Sequence, residues 1–376
     1  MHTQHSNQKR DLFRERSGAE LHINLSAIIE NYLFLQKKVE SARCSAVVKA
    51  DAYGLGADRI SKALAKAGCK NFFVAYLDEG IALRKILKKE FSIYVLHGLI
   101  GKHEKLFLDY NLIPILNTSE QIKQWYQFCL QNNVFYEAGI QLDSGMSRFG
   151  LDEKEIKDIP LAVWDAFKPK LIVSHLACAD TPEHKENTQQ LEQFKKLKNF
   201  LPNAPSSLAA SSGIFLGKAW HFDMVRPGAA LYGINPTPRE KNPMRSVVTL
   251  LGKIIQIKTI HPKTFVGYGA SYKAKQTTKI AIISVGYADG FFRSLSEKLY
   301  LVHEKFMHKP LPIIGRISMD SLFVDISSLP KDATKIGDKI ELVGSFNTLD
   351  SIAHAANTIG YEILTSMDNR YYRIYK

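Results

Sequence analysis

Short apolar runs alternate with amphipathic stretches from residue 20 to about residue 235. In stretches such as Ala27–Val39 and Ser119–Leu130, apolar residues recur at steps of three and four, as on the buried face of a helix. Repeated strand–helix units without a long interruption predict a parallel TIM-type (β/α)8 barrel in preference to an open sheet. The predicted strands are Glu20–Leu25, Cys44–Val48, Asn71–Tyr76, Ser92–Leu96, Leu112–Leu116, Glu137–Leu142, Leu171–Ser174, Ser206–Ala210 and Met224–Tyr232.

The pattern changes after Pro236-Thr237-Pro238. A polar, basic linker over residues 239–245 leads into β-rich sequence with Gly and Pro turns and one helical stretch near Leu349–Asn357. We therefore expect a barrel over residues 19–240, followed by a mainly antiparallel β domain over residues 241–376. Its clearest predicted strands are Ser246–Ile260, Lys279–Ser284, Ser321–Ile326 and Lys339–Val343.

Length and composition fit a globular protein of two domains, and the length also allows three. The chain has 376 residues, of which 45% are hydrophobic and 23% charged. Residues 1–18 are polar and basic without an apolar secretory segment, which predicts a disordered extension. No apolar run approaches the roughly 18 residues that span a bilayer, so we expect a cytoplasmic location and no membrane partner. The four cysteines lack metal-site spacing, and we expect no metal ion.

The chain is basic, with a formal net charge of +13 and a pI near 9.3. Nucleic-acid binding is one interpretation of such a charge. However, the Lys and Arg residues are scattered along helix-like segments, and no basic cluster is interleaved with aromatic residues. We therefore expect no nucleic-acid partner, and a basic field that favours small anionic molecules.

Lys49 follows the apolar run Cys44–Val48 and precedes a Tyr-Gly-Leu-Gly turn. It therefore falls where a buried strand leaves the core, which is where barrels place their chemistry. Partial burial weakens the preference of an amine for its charged form, and a neutral lysine can attack a carbonyl carbon. Gly54 and Gly56 allow backbone N–H groups to approach a phosphate, and Tyr53 adds a hydroxyl. A lysine that reaches solvent from a strand edge is the ordinary alternative.

Other predicted strand ends also carry polar or charged side chains. Arg148 lies in a turn bracketed by glycines, where its guanidinium can hold a carboxylate or a phenolate. His175 can stack on a ring or donate a hydrogen bond, although a single histidine is more often structural. The Ser211-Ser212-Gly213 segment offers hydroxyls that suit either a phosphate or a helix cap. Arg226 is embedded in an apolar strand and needs a partner.

Two tyrosines in the second domain are flanked by glycine turns. Tyr268 lies in the segment Val266–Tyr272, and Tyr287 lies in the segment Val285–Gly290. A phenol exposed on such a turn can act as an acid or a base, whereas aromatic packing of the turn is the ordinary alternative.

Together these motifs resemble the alanine racemase family, in that family's order and from about residue 20 to the end. The resemblance implies a pyridoxal 5'-phosphate enzyme that interconverts L-alanine and D-alanine, supplying D-alanine for peptidoglycan. It also implies a head-to-tail homodimer with shared active sites. The matching segments are Lys49–Gly56, Asp143–Gly150, Arg226–Gly233, Gly267–Gly269, Gly286–Gly290 and Ser318–Asp320.

The resemblance also implies a role for each matched residue. Lys49 would hold the cofactor covalently and act as a base on one face of the substrate Cα, and Tyr268 from the other subunit would act on the opposite face. Arg226 would face the pyridine nitrogen, and His175 would pack beside the ring. Arg148 and the Met319 backbone would position the substrate carboxylate. Tyr287 and Tyr361 would narrow the entrance. The implied phosphate contacts are Tyr53, Ser212, Gly228, Ala229 and Tyr361.

Four positions depart from the family pattern. Gln141 replaces a lysine that is often carbamylated and supports the arginine corresponding to Arg148; we expect the Gln141 amide to accept a hydrogen bond from Arg148 in its place. Leu208 replaces a histidine that commonly supports the pyridine-facing arginine, so Arg226 would need another partner. Leu55 and Ser318 replace a usual histidine and a frequent cysteine.

These departures leave alternatives open. A racemase with broader specificity, or one that prefers serine, is one of them. A non-catalytic pyridoxal phosphate-binding protein is another, but such carriers lack the second domain. Decarboxylases with a barrel and a β domain share the architecture, but we expect them to use a cysteine or an aspartate pair in place of the glycine-flanked tyrosine.

Overall fold

The computed structural model describes residues 12–166 and 169–376, with the side chains of residues 165 and 166 excepted. The chain divides into two compact units. The first, which we call the barrel unit, is Ile28–Arg245. The second, the C-terminal unit, joins the chain up to Ala27 with Ser246–Lys376. Residues 1–11 of the predicted disordered extension lie outside the described residues.

The barrel unit contains parallel strands that close on themselves. Strands β3 to β9 pair in sequence order, and β10 pairs in parallel with β2. The closure is completed on the other side of β10, because the Arg226 N–H donates to the Ala209 carbonyl (2.9 Å) beyond β9. The predicted (β/α)8 barrel is therefore confirmed. The strands are β2 Arg43–Cys44, β3 Ala46–Val47, β4 Asn71–Val74, β5 Ser92–Val95, β6 Ile113–Leu116, β7 Ala138–Gln141, β8 Pro169–Val173, β9 Ser206–Ser207 and β10 Met224–Val225.

Helices follow most of the barrel strands, and side-chain caps fix where several of them begin. The Thr118 hydroxyl accepts from the Gln121 N–H (3.2 Å), and Asp152 and Glu155 form a reciprocal capping box. The helices are α1 Leu25–Lys38, α2 Ala57–Lys66, α3 Leu77–Arg84, α4 Glu104–Asp109, α5 Ser119–Gln131, α6 Glu153–Lys157, α7 Leu161–Ala166 and α8 Lys185–Lys198. The first and fifth match the helical periodicity predicted for those stretches.

The first predicted barrel strand belongs elsewhere. Strand β1 (Ala19–Ile23) lies in the C-terminal unit, where it pairs antiparallel with β11 (Val248–Ile260) and parallel with β19 (Tyr372–Tyr375). The interpretation of Glu20–Leu25 as a barrel strand was therefore wrong. Burial explains the error: a short strand buried on both faces looks the same in sequence whichever sheet receives it, and its partners lie more than 200 residues away.

The C-terminal unit is built on a mainly antiparallel sheet. Its strands run in the order β16-β15-β18-β11-β1-β19, and β14 joins β11 to β17. The predicted helix is confirmed as α9 (Leu349–Ala356), and a short α10 (Gly360–Thr365) follows it. The remaining strands are β12 Phe265–Val266, β13 Tyr272–Lys273, β14 Thr278–Ile283, β15 Tyr300–His303, β16 Phe306–Pro312, β17 Leu322–Asp325 and β18 Lys339–Val343.

Glu20 on β1 is the centre of an ionic cluster inside the C-terminal unit. Its carboxylate accepts from Arg14, His22 and Lys339, each at 2.9 Å. Burial works to raise the pKa of Glu20, but hydrogen bonds from Arg14, Lys339 and His22 outweigh it and lower the pKa to about 2. Arg14 thus ties the described end of residues 1–18 to the sheet, which differs from the expected disorder of that whole stretch.

In the described ranges, no helix has both the length and the hydropathy to cross a bilayer.

Candidate active site

The turn that carries Lys49 has an unusual backbone. After β3, residues Ala50–Tyr53 all lie in the left-handed region, with φ between 51° and 57°. This conformation is costly for residues other than glycine and persists only where surrounding contacts enforce it. One such contact is Glu79, whose Oε1 accepts from the Ala50 N–H (2.6 Å) and whose Oε2 accepts from the Ala75 N–H (2.7 Å).

Lys49 itself is partly buried, and its surroundings favour the neutral amine. Desolvation lowers the pKa of Lys49, and the Arg148 guanidinium lowers it further, whereas Glu79 works in the opposite direction. A lysine amine that gives up its proton readily can act as a nucleophile and then as a base.

Beyond this turn, several groups form a cradle for an anion. The Ser211 hydroxyl accepts from the N–H groups of Gly228 and Ala230, both at 3.1 Å, and so joins two short 3₁₀ segments. A Cβ on Gly228 would lie 2.4 Å from the Tyr53 hydroxyl, so only glycine admits the tyrosine here. Tyr53, Gly228 and the serine pair are therefore brought together as predicted for phosphate contacts.

This cradle retains donors that can bind a ligand. Within the described ranges, the Ala229 N–H and the Ser212 hydroxyl have no hydrogen-bond partner, and Ala229 is buried. Each lies at the start of a 3₁₀ segment, where backbone N–H groups point outward together. The donor set fits a phosphate group, with Ser211 organising the backbone and Ser212 available to the ligand.

Arg226 follows β10 and is held almost entirely by oxygen atoms of neighbouring strands. Its Nη1 donates to the Ser207 carbonyl (2.8 Å) and to the Ser207 hydroxyl (2.5 Å), and its Nη2 donates to the Ser174 carbonyl (2.5 Å). Burial lowers the pKa of Arg226 to about 10, which still leaves it charged at neutral pH. Ser207 therefore supplies the support that Leu208, buried and apolar, cannot provide.

His175 lies just beyond β8, where it interacts electrostatically with the cations Arg226, Arg148 and Lys49. Desolvation lowers the pKa of His175 to about 3, and Arg226, Arg148 and Lys49 contribute in that order, so the imidazole is neutral at pH 7. Gln190 fixes the backbone around it, because its side chain donates to the His175 carbonyl (3.1 Å) and accepts from the Ala177 N–H (2.8 Å).

Arg148 is presented by a loop that a single carboxylate organises. Asp143 Oδ1 accepts from the N–H groups of Gly145, Met146 and Ser147 at 2.9–3.1 Å. Arg148 is exposed, its guanidinium stands 5.6 Å from the Phe149 ring centroid, and it makes no hydrogen bond or ion pair within the described residues.

Gln141, expected to accept from Arg148, instead donates from Nε2 to the Phe149 carbonyl at 3.5 Å. Gln141 is buried, whereas Arg148 is exposed. The amide therefore supports the backbone beside the arginine and not the guanidinium itself.

The remaining predicted residues lie in the C-terminal unit. The turns that carry Tyr287 and Met319 are joined by two backbone hydrogen bonds: the Tyr287 N–H donates to the Ser318 carbonyl (3.1 Å), and the Ala288 N–H donates to the Met319 carbonyl (3.0 Å). Arg370 pairs with both turns, through Asp289 (3.2 Å) and Asp320 (2.9 Å).

Tyr268 and Tyr361 occupy other places on the same unit. Tyr268 begins the short segment Tyr268–Ala270 between β12 and β13 and is 72% exposed. Tyr361 is the second residue of α10 and is 38% exposed. The structure thus places eight predicted residues in the barrel unit and four in the C-terminal unit. The eight are Lys49, Tyr53, Arg148, His175, Ser212, Arg226, Gly228 and Ala229; the four are Tyr268, Tyr287, Met319 and Tyr361.

The family matches agree with this division. Residues 23–236 match the family described as alanine racemase, N-terminal domain, and residues 247–375 match alanine racemase, C-terminal domain. The chain belongs to the alanine racemase family. As a member, it is a pyridoxal phosphate-dependent isomerase, as the sequence motifs predicted.

Individual members of the alanine racemase family match nearly the whole chain. A catabolic alanine racemase of Mesorhizobium japonicum is 45% identical over 361 residues, covering 96% of this chain and 93% of the relative. Alanine racemase of Brucella canis is 40% identical over 385 residues, covering 98% and 96%. The crystal structure of alanine racemase from Bartonella henselae, with covalently bound pyridoxal phosphate, is 40% identical with a TM-score of 0.91 and covers 96% of this chain and 100% of that chain.

Three barrel residues around the site were not singled out from the sequence. Glu79 is the third residue of α3, and a capping box beginning at Tyr76 could have drawn attention to it. Ser207 carries no local signal, because its importance depends on where Arg226 lies. His97 follows β5 beside Tyr76 and Phe149; desolvation and then Lys49 lower the pKa of His97, which places it near the lysine.

Proposed function

We propose that this protein racemises alanine with Lys49 and Tyr268 as the two bases. Racemisation requires a proton to leave one face of Cα and return on the other, so two groups on opposite faces are needed. The observation that carries the proposal is the partly buried Lys49, whose pKa is lowered, on the same barrel end as a neutral His175 and a buried Arg226.

The barrel residues fit pyridoxal phosphate. When bound, this cofactor delocalises the electron pair that proton removal leaves at Cα. Ser212, Ala229 and Tyr53 would hold its phosphate. Arg226 would face the ring nitrogen and, because it stays charged, would keep that nitrogen unprotonated. Its three hydrogen bonds to Ser207 and Ser174 hold the guanidinium in place for this task.

Recognition of alanine would combine charge and a narrow entrance. Arg148 is exposed and makes no ion pair within the described ranges, so its guanidinium is available for the substrate carboxylate. The Met319 backbone would share this contact. Tyr287 and Tyr361 would restrict the space for the side chain.

We further propose a homodimer in which each site combines groups from two subunits. Exposure of the C-terminal residues supports this arrangement, since Tyr268, Tyr287, Met319 and Tyr361 all remain open to solvent in one chain. The motifs that carry the two proposed bases, Lys49 and Tyr268, occur in the same order as in the family, and the resemblance implies active sites shared between subunits.

The physiological direction is a separate proposal. We propose that the protein supplies D-alanine for peptidoglycan in the cytoplasm. The catabolic name of the Mesorhizobium relative supports the opposite use, consumption of D-alanine, for that protein. Growth of a deletion strain with and without added D-alanine separates the two roles.

A broader or serine-preferring specificity is the second candidate. The observation that favours it is the absence of a bond between Gln141 and Arg148 in the described structure, which leaves the arginine free to adjust to larger substrates. A non-catalytic carrier is disfavoured by the second unit, which bears Tyr268.

Proton NMR in D2O tests the reaction and the substrate together. The purified protein, supplied with pyridoxal phosphate, would be incubated with single L-amino acids, and Cα deuteration and enantiomer composition would be followed. We expect exchange with inversion for alanine. Comparable inversion of serine would favour the broader racemase, and absence of exchange with every substrate would contradict racemase function.

A further inference from the structure

We infer that Glu79 is a positioning residue for Lys49: its carboxylate fixes the turn that carries the lysine and supplies a negative charge that acts on the lysine amine. This inference rests on the proposed role of Lys49 as the residue that binds the cofactor covalently. Glu79 has no assigned role in the motifs that identify the family.

The hydrogen bonds of Glu79 go beyond ordinary helix capping. Its Oε2 accepts from Ala75 and Tyr76 at 2.7 and 3.0 Å, which is the capping expected at the start of α3. Its Oε1, however, accepts at 2.6 Å from Ala50, a residue 29 positions earlier in the chain. That third bond joins α3 to the residue immediately after Lys49, and capping does not explain it.

The backbone of helix α3, which carries Glu79, is held rigidly. Gly80, the next residue, is buried, and a Cβ there would lie 3.1 Å from Leu112 and 3.3 Å from Val95. The helix therefore packs closely on the barrel wall, and Glu79 projects from a fixed backbone. A fixed acceptor can hold the strained Ala50–Tyr53 turn in one conformation.

The charges around Lys49 come from several elements. Arg148, His97 and His175 face it from the loops after β7, β5 and β8, and Glu79 faces it from α3. Desolvation and then Arg148 lower the pKa of Lys49, whereas Glu79 works to raise the pKa of Lys49. The pKa values of both histidines are lowered from the ordinary value. Glu79 thus opposes Arg148 at the amine.

The test is covalent loading of the full-length apoprotein by pyridoxal phosphate as a function of pH. Loading would be stopped with borohydride at set times, and the label located by peptide mass spectrometry. Glu79→Gln removes the charge and one acceptor oxygen, whereas Glu79→Asp keeps the charge but shortens the reach. Asp51→Asn is the matched control, because Asp51 accepts from Ala57 (2.7 Å) at the other end of the same turn.

We expect Glu79→Gln to move the loading midpoint to lower pH, because the amine loses the charge that favours its protonated form. Glu79→Asp should keep the wild-type midpoint. Both should load on the order of tenfold more slowly, because misplacement of reacting groups costs rate. Asp51→Asn should match wild type in both respects. Circular dichroism confirms that each variant is folded, and a general folding defect would not separate Glu79→Gln from Glu79→Asp.

A wild-type midpoint and rate in Glu79→Gln would overturn the inference, and so would equal midpoints in Glu79→Gln and Glu79→Asp. The proposed function fails in a different way. If wild-type protein carried no label at Lys49, the role of that lysine would be wrong, and the inference would fall with it.

Discussion

The two units hold their functional residues in opposite ways. In the barrel unit, Arg226 is 5% exposed and bonded to three oxygen atoms, and desolvation together with Arg226, Arg148 and Lys49 lowers the pKa of His175. In the C-terminal unit, Tyr268 is 72% exposed and Met319 is 52% exposed. The barrel unit holds its functional residues through contacts within the unit, and the C-terminal unit exposes its functional residues to solvent.

This contrast separates two tasks. Binding an anionic cofactor needs donors whose positions are fixed before it arrives, and the barrel provides them through backbone N–H groups and buried hydroxyls. In the proposed homodimer, the surface of a second subunit would cover the exposed tyrosines. Changes at Lys49 and around Arg226 in the barrel unit are therefore expected to impair cofactor binding, whereas changes at Tyr268 and Arg370 in the C-terminal unit are expected to impair turnover with the cofactor still bound.

The largest effect is expected from Lys49→Ala. Loss of both the covalent attachment and one base should lower racemisation by at least about 10³-fold. The measurement combines racemase activity with mass spectrometry after borohydride treatment. Lys62→Ala, an exposed lysine on α2, should retain both activity and label. Label retained at another lysine with activity unchanged would contradict the account.

Tyr268→Phe should lower racemisation by about 10²- to 10³-fold while leaving pyridoxal phosphate bound. Because the other base remains, Cα exchange in D2O should survive for one enantiomer and be lost for the other. Tyr300→Phe, an exposed tyrosine on β15, is the control and should behave as wild type. Equal loss or equal retention for both enantiomers would contradict a two-base mechanism.

Arg370→Met should have an intermediate effect. It removes the ion pairs that hold the Tyr287 and Met319 turns together, and it leaves Asp289 buried without its counter-ion. We expect kcat/KM for alanine to fall about tenfold, mainly through KM, with cofactor binding intact. Arg370→Lys should recover part of the loss, since a single ammonium cannot bridge both carboxylates equally well. If Arg370→Met impaired cofactor binding, the assignment of Arg370 to substrate binding and turnover would be contradicted.

The smallest effect is expected from Ser207→Ala. The Arg226 guanidinium would keep both carbonyl acceptors but lose the hydroxyl, at a cost of about 1 kcal/mol. We expect weaker pyridoxal phosphate binding by about fivefold, measured by equilibrium titration. Ser206→Ala provides the comparison, because that neighbouring buried hydroxyl bonds to the Ala204 carbonyl instead. Equal weakening in the two variants would indicate general destabilisation.

Sequence periodicity was sufficient for the barrel but not for strand β1. The eight barrel runs repeat at regular spacing, and intervening stretches such as Ser119–Leu130 show a helical period, so the units support one another. Strand β1 has no neighbouring strand–helix unit in the sequence to support its placement. Its partners are β11 and β19, and only the strand pairing in the structure identifies them. The motif residues could be named because their order along the chain matches that of the family, although most of them taken singly have an ordinary alternative.

The supporting residues could not be predicted in the same way. Ser207 and Glu79 are common residue types in common positions, and each acquires meaning only through a partner distant in sequence: Arg226 for the serine and Ala50 for the glutamate. The expected bond between Gln141 and Arg148 failed for a related reason, since the loop directs the arginine outward and the amide inward.

Hybrid dimers test most directly whether one site joins the barrel of one subunit to the C-terminal unit of another. Lys49→Ala and Tyr268→Phe chains, each inactive alone, would be co-expressed with different affinity tags, and the mixed species isolated. A shared site predicts that one of the two sites in each hybrid regains both bases, so the isolated hybrids should recover about half of wild-type activity. Hybrids as inactive as the parent variants would show that both bases must come from a single chain, and would contradict the account.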